Sequence, residues 1–108
     1  MKPLYLVLKP EWYDMIERGE KPEEYRDYTP YWVKRLTTLE YGFMLFSHRH
    51  GYEQIPFKPF TEVTFQRAYP KNPPRMTYGI ESMSYGFGNP AWGAPTDRKV
   101  FIIKLKKL

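Results

Sequence analysis

The chain has 108 residues, with 42% hydrophobic and 19% aromatic side chains, a formal charge of +5 and no cysteine. That length suits one domain, residues 1–108, with one modest core, and zero cysteines exclude disulfide and thiolate-metal frameworks. No apolar run nears the roughly 20 residues of a membrane helix, and Met1-Lys2-Pro3 lacks the marks of a signal peptide, so a cytoplasmic protein with no membrane partner is expected.

Leu4-Tyr5-Leu6-Val7-Leu8, bounded by Pro3 and Pro10, reads as a buried strand. Pro10 suits a first helical position, where its missing N–H costs nothing. Trp12, Met15 and Ile16 follow at helical spacing, with Trp12 expected as a core anchor, and Gly19 is the natural stop. The next segment, Gly19-Glu20-Lys21-Pro22-Glu23-Glu24-Tyr25-Arg26, is the most informative of the chain. In an extended segment residues two apart share a face, so Glu24 and Arg26 should project together, with Lys21 in the turn beside them. Thr29 then caps a second helix that starts at Pro30 and shows Trp32, Val33 and Leu36 as its apolar stripe, with Lys34 and Arg35 pointing outward.

Strands are expected from there on. Tyr41 to Phe46, Phe60 to Phe65, Met76 to Met83 and Val100 to Leu105 are β-prone, separated by loops rich in proline and glycine. Five or six short strands with two short helices predict an α+β domain, a small mixed β-barrel with helices over its openings. Lys104, Lys106 and Lys107 read as charges blunting an exposed strand edge. The histidines of His48-Arg49-His50 can share a strand face, but no third ligand is near and catalytic zinc takes three, so a solvated hairpin tip is expected and no metal. Gly86-Phe87-Gly88-Asn89-Pro90 is no dinucleotide fingerprint, since no helix follows it, and no cofactor is expected.

Charge is unevenly placed. Residues 1–30 hold five Lys/Arg against seven Asp/Glu, net −2, while residues 31–108 hold twelve against five, net +7. A basic body around a local acidic cluster suits a polyanion bound along one surface. Arg67 and Lys71 flank Tyr69 on a proline-stiffened loop, a pattern that suits a strand of nucleic acid.

The pattern Gly19-x-Lys21-x-x-Glu24-x-Arg26 resembles the Gly-x-Lys-x-x-Glu-x-Arg signature of the ASCH domain, a β-barrel family of the PUA-like superfamily. Three further stretches resemble small bacterial and phage ASCH-like proteins in the family's order. They are Leu6 to Trp12 with the Pro30-Tyr31-Trp32 helix start, the Phe65 to Asn72 aromatic-basic loop, and the loop carrying Gly86, Gly88, Pro90, Trp92, Gly93 and Ala94. Residues 37–59 match least and read as an insertion. The resemblance implies a PUA-like barrel whose cleft binds RNA or a nucleotide or nucleoside.

In such a cleft Lys21 and Arg26 would meet phosphate or base-edge acceptors, Arg26 bidentately. Glu24 would accept from an exocyclic amine, and Tyr25, Tyr28, Tyr69 or Trp92 would stack on a base. Arg67, Tyr69 and Lys71 would form a second wall. Some ASCH relatives are amidohydrolases of acetylcytidine that use a threonine three residues after the motif lysine. Here that position is Glu24, which removes the acyl-accepting hydroxyl. The catalytic alternative therefore has Glu24 as general base and Lys21 as oxyanion stabiliser. A third alternative is a protein-interaction module without a ligand, and a purely structural Lys21–Glu24–Arg26 cluster would use the same spacing.

Overall fold

The computed structural model describes residues 2–39 and 55–108. Its elements run β1 (Leu4–Leu8), α1 (Pro10–Glu17), β2 (Glu23–Arg26), α2 (Pro30–Leu36), β3 (Glu62–Arg67), β4 (Arg75–Gly86), a 3-10 turn (Pro90–Trp92) and β5 (Val100–Lys106). The Tyr41–Phe46 strand and the His48-Arg49-His50 tip fall outside the described residues. On either side of them the chain leaves and returns at neighbouring points, because the Thr38 N–H donates to the Pro56 carbonyl at 3.0 Å.

The five strands form one sheet in the order β1-β3-β4-β5-β2, curled into a half-barrel. β1 pairs with β3 in parallel and every other pairing is antiparallel. β1 and β2 are thus the two edges, and β5 is an inner strand. This corrects the reading of Lys104 as an edge charge: it lies on β5 between Glu23 of β2 and Ser82 of β4, is exposed, and pairs across the sheet with Glu81 at 3.0 Å. Lys106, opposite Gly79 of β4, lies past the end of the β2 pairing.

The helices end as local chemistry dictates. At the close of α1 the Gly19 N–H donates to the Ile16 carbonyl and the Glu20 N–H to the Met15 carbonyl, with Gly19 at φ +80°. That is a Schellman closure, whose left-handed residue favours glycine. The Lys21 N–H adds a second bond to the Met15 carbonyl, which fixes where the lysine starts. Thr29 caps α2 as expected, its Oγ1 accepting from the Trp32 N–H at 3.3 Å. The buried face of α1 is Tyr13 and Ile16, while Trp12 and Met15 are only half-buried. Trp12 is therefore a shoulder of the core rather than its anchor.

Alternation sorts the sheet's side chains. Leu4, Leu6, Leu8, Val63, Phe65, Phe101 and Ile103 fill the concave side together with Tyr13, Ile16, Val33 and Leu36 from the helices. A smaller cluster of Tyr25, Ala94 and Val100, with Trp92 and Ile102 against it, sits on the other face under the 87–97 loop. That loop fits because Gly88 has no side chain: a Cβ there would lie 2.5 Å from the Tyr25 ring. Among the described residues no helix is long and apolar enough to cross a membrane.

Candidate ligand-binding site

β2 decides the site. Its register places Glu24 opposite Ile103 and Arg26 opposite Phe101, so both point to the concave face, while Tyr25 opposite Ile102 points to the smaller cluster. Glu24 and Arg26 project together as the alternation required, and an Arg26 Nη1–H donates to a Glu24 carboxylate oxygen. The other carboxylate oxygen lies 3.2 Å from Lys21 Nζ. Lys21 is 2% exposed and Glu24 5%, a depth at which charged groups persist only when paired.

Lys21 closes its coordination from behind. Its ammonium donates to the Trp92 carbonyl and lies 4.6 Å from the centre of the Tyr25 ring and 5.4 Å from that of Trp12. Burial lowers its pKa from the usual lysine value, and the charge of Glu24 opposes that fall. Burial likewise raises the pKa of the Tyr25 phenol, which accepts from the Asn89 N–H at 3.0 Å and donates to Glu23 at 2.8 Å. Lys21 thereby ties the 87–97 loop to β2.

On the other side of Glu24 a cleft of about 500 Å³ opens, lined by Tyr5 to Leu8 of β1, by Lys9, Trp12, Tyr31, Trp32 and Tyr69, and by Glu24 and Arg26. Arg26 is held by its own strand and by β1: Nη1 also donates to the Tyr25 carbonyl at 2.7 Å, Nη2 reaches the Val7 carbonyl at 3.4 Å, and the guanidinium lies 5.1 Å from the Trp32 ring centre. Of the five guanidinium N–H groups, the Nε–H and one Nη2–H have no acceptor among the described residues. Those two remain for charge-assisted hydrogen bonds to a ligand.

The structure brings Lys21, Glu24 and Arg26 together in a line, with only the last two facing the cleft. Tyr69 reaches its rim and is 83% exposed. Arg67 instead turns to α1, where Nε and Nη2 grip the two oxygens of Asp14 at 3.0 and 3.1 Å. Lys71 is exposed in the turn after β3 and is not among the cleft's lining residues. Trp92 takes part through its carbonyl, its side chain packing under the loop with Tyr25 and Val100. Tyr28 stacks on Phe101 at 5.6 Å inside the core. Sequence reasoning assigned Trp12 and Trp32 to helix stripes and passed over both as cleft walls. The available signal was that each sits in the first turn of a helix that directly follows a short strand. Among the described residues no group of three or more His, Asp or Glu is placed to hold a metal ion.

No family model, no curated protein and no solved structure matches this chain.

Proposed function

We propose that the cleft binds a nucleobase, carried by a nucleoside, a nucleotide or RNA. One observation carries this reading: a buried carboxylate–guanidinium pair forms one wall of a hollow whose other walls are aromatic side chains and a strand edge. A nucleobase is a flat apolar plate with donors and acceptors confined to its rim. Aromatic walls match the plate, and Glu24 with the unused N–H groups of Arg26 matches the rim. The volume lies within the roughly 300–1,000 Å³ of small-ligand sites. Lys21 and Arg26 share one carboxylate, so the cluster keeps an excess positive charge that favours an electron-rich partner. The ASCH and PUA-like resemblance belongs to this proposal and agrees with it.

Binding is favoured over hydrolysis by how the charges are used. Both oxygens of Glu24 already accept from cations, which leaves it poorly placed to take a proton from water. The Lys21 ammonium is committed to Glu24 and Trp92, away from the cleft.

The test is calorimetric titration with nucleosides, nucleotides and short RNAs, at low and high salt, of the wild type and Tyr31→Ala. Tyr31 is exposed at the rim, so its loss spares the fold. Truncating a stacking partner should weaken binding by about 1–3 kcal/mol. A steep fall with salt identifies RNA, because phosphate contacts release counterions, whereas a shallow one identifies a free nucleoside. If nothing in the panel binds at millimolar concentration, the reading is wrong. Acetate released from an acetylated nucleoside would replace it with the hydrolase.

A further inference from the structure

A second hollow of about 340 Å³ adjoins the first and shares two lining residues with it, Arg26 and Trp32. The two side chains, 5.1 Å apart as a cation–π pair, border both hollows. The second hollow differs in chemistry: its polar lining includes Asp27, Thr29 and Arg98.

Arg98 gives Nε and Nη2 to a single Asp27 oxygen, Oδ1, at 3.3 and 3.1 Å, and its Nη1 to Asp97 at 3.0 Å. Two carboxylates on the Arg98 guanidinium leave that side chain no net positive charge to offer a phosphate. What remains is hydrogen-bonding capacity. Asp27 Oδ2 accepts no hydrogen bond among the described residues. The Thr29 hydroxyl accepts from the Trp32 N–H, and its own proton has no acceptor among those residues. An unused carboxylate oxygen lining the same hollow as a hydroxyl is the chemistry that receives sugar hydroxyls, as acidic residues do in nucleotide-binding folds.

We propose that this second hollow holds the ribose of a ribonucleoside unit whose base occupies the first cleft, with Asp27 accepting from the sugar hydroxyls. The inference rests on the nucleobase reading and narrows its ligand to ribo- rather than deoxyribo-compounds.

Calorimetry on the intact chain tests it with the four common ribonucleosides, their 2′-deoxy counterparts and the free bases. For whichever base binds, the ribonucleoside should bind about tenfold more tightly than the deoxy form, the worth of one hydrogen bond to a charged group. Asp27→Ala should erase that ratio and leave the affinity for the free base unchanged. Asp97→Ala, which removes a carboxylate that does not line the hollow, should preserve the ratio. Equal affinity of ribo and deoxy forms for the wild type overturns the proposal while the nucleobase reading stands, and so does a ratio that survives Asp27→Ala. If no base or nucleoside binds, the reading of the first cleft fails and this inference falls with it.

Discussion

Arg26 of β2 reaches the Val7 carbonyl of β1 across 3.4 Å, although β1 and β2 stand at opposite ends of the sheet order. The Leu8 carbonyl is taken by the Ala68 N–H on the β3 side. Backbone groups alternate along a strand, so those of Val7 face the open edge. One guanidinium therefore spans the seam left by an unclosed barrel, and the same side chain forms a wall of the cleft.

This spanning role makes Arg26→Lys a severe change. A lysine keeps the charge but not the planar fork that serves Glu24, the Tyr25 carbonyl and Val7 at once. Loss of hydrogen bonds at a charged group costs about 1.5–3 kcal/mol. Urea unfolding should show Arg26→Lys destabilised by that amount. A midpoint indistinguishable from wild type would mean that the seam does not depend on this residue.

Charge neutralisation in the buried line predicts an order of severity. Glu24→Gln leaves Lys21 buried without a counter-charge and should cost about 3–5 kcal/mol. Lys21→Met leaves Glu24 paired with Arg26 and relieves the desolvation that lowers the lysine's pKa, so about 2 kcal/mol is expected. Denaturant titration of the two variants checks the order. The reverse order would show that Lys21, rather than Glu24, is the hub.

The approach of the 87–97 loop to β2 leaves no room at Gly88. An alanine Cβ would fall 2.5 Å from the Tyr25 ring and 2.7 Å from the Ala94 Cβ. Overpacking of this kind costs about 1–3 kcal/mol, and thermal melting should record a fall of roughly 10 °C. An unchanged melting temperature would show that the loop moves aside freely.

Acid should act partly through Asp14. The hydrogen bond from Arg67 holds its carboxyl below the usual aspartate range. As pH falls, the unfolded chain takes up this proton first, so the contribution is complete above about pH 4 and is lost on descent through the lower folded value. Melts between pH 5 and pH 2.5 should therefore show wild type losing more stability than Asp14→Asn. Parallel losses would mean that the Arg67 contact carries no linkage.

What was legible in the sequence was local. Proline at the start of each helix, Thr29 as cap, Gly19 as stop and the alternation of Glu24 with Arg26 are all decided within a few residues, and the structure agrees. What was not legible depends on distant partners. The parallel pairing of Leu4–Leu8 with Val63–Arg67 joins segments more than fifty residues apart, and no local signal announces it. Lys21 reads only as a turn residue beside Glu24 and Arg26, because the rest of its cage includes the carbonyl of Trp92, 71 positions on. Arg67 looked free for a ligand because Asp14 lies 53 positions earlier. Lys104 reads as an edge charge because no local signal shows that β2 pairs outside β5.

The last prediction concerns how Tyr69 is aimed. Ala68, just before it, has φ +54°, a left-handed conformation that costs a non-glycine residue about 1–2 kcal/mol. Hydrogen bonds hold it there: its N–H donates to the Leu8 carbonyl at 2.9 Å, and its carbonyl accepts from Gln66 Nε2 at 2.7 Å. Gln66 in turn accepts from the Tyr5 hydroxyl, which accepts from Arg75 Nε at 2.8 Å. A strained peptide fixed by side chains of three strands fits a rim residue held ready for a flat ligand. Ala68→Gly removes the strain but adds backbone freedom worth about 0.4–1 kcal/mol in the unfolded chain, so stability should stay within about 1 kcal/mol of wild type. Ligand affinity should nevertheless drop several-fold, because the tyrosine must then be ordered on binding. Tyr69→Phe should bind like wild type, since stacking needs the ring and not the hydroxyl. If Ala68→Gly binds as tightly as wild type in calorimetry, the strained turn has no part in recognition; if Tyr69→Phe loses affinity, the hydroxyl and not the ring makes the contact.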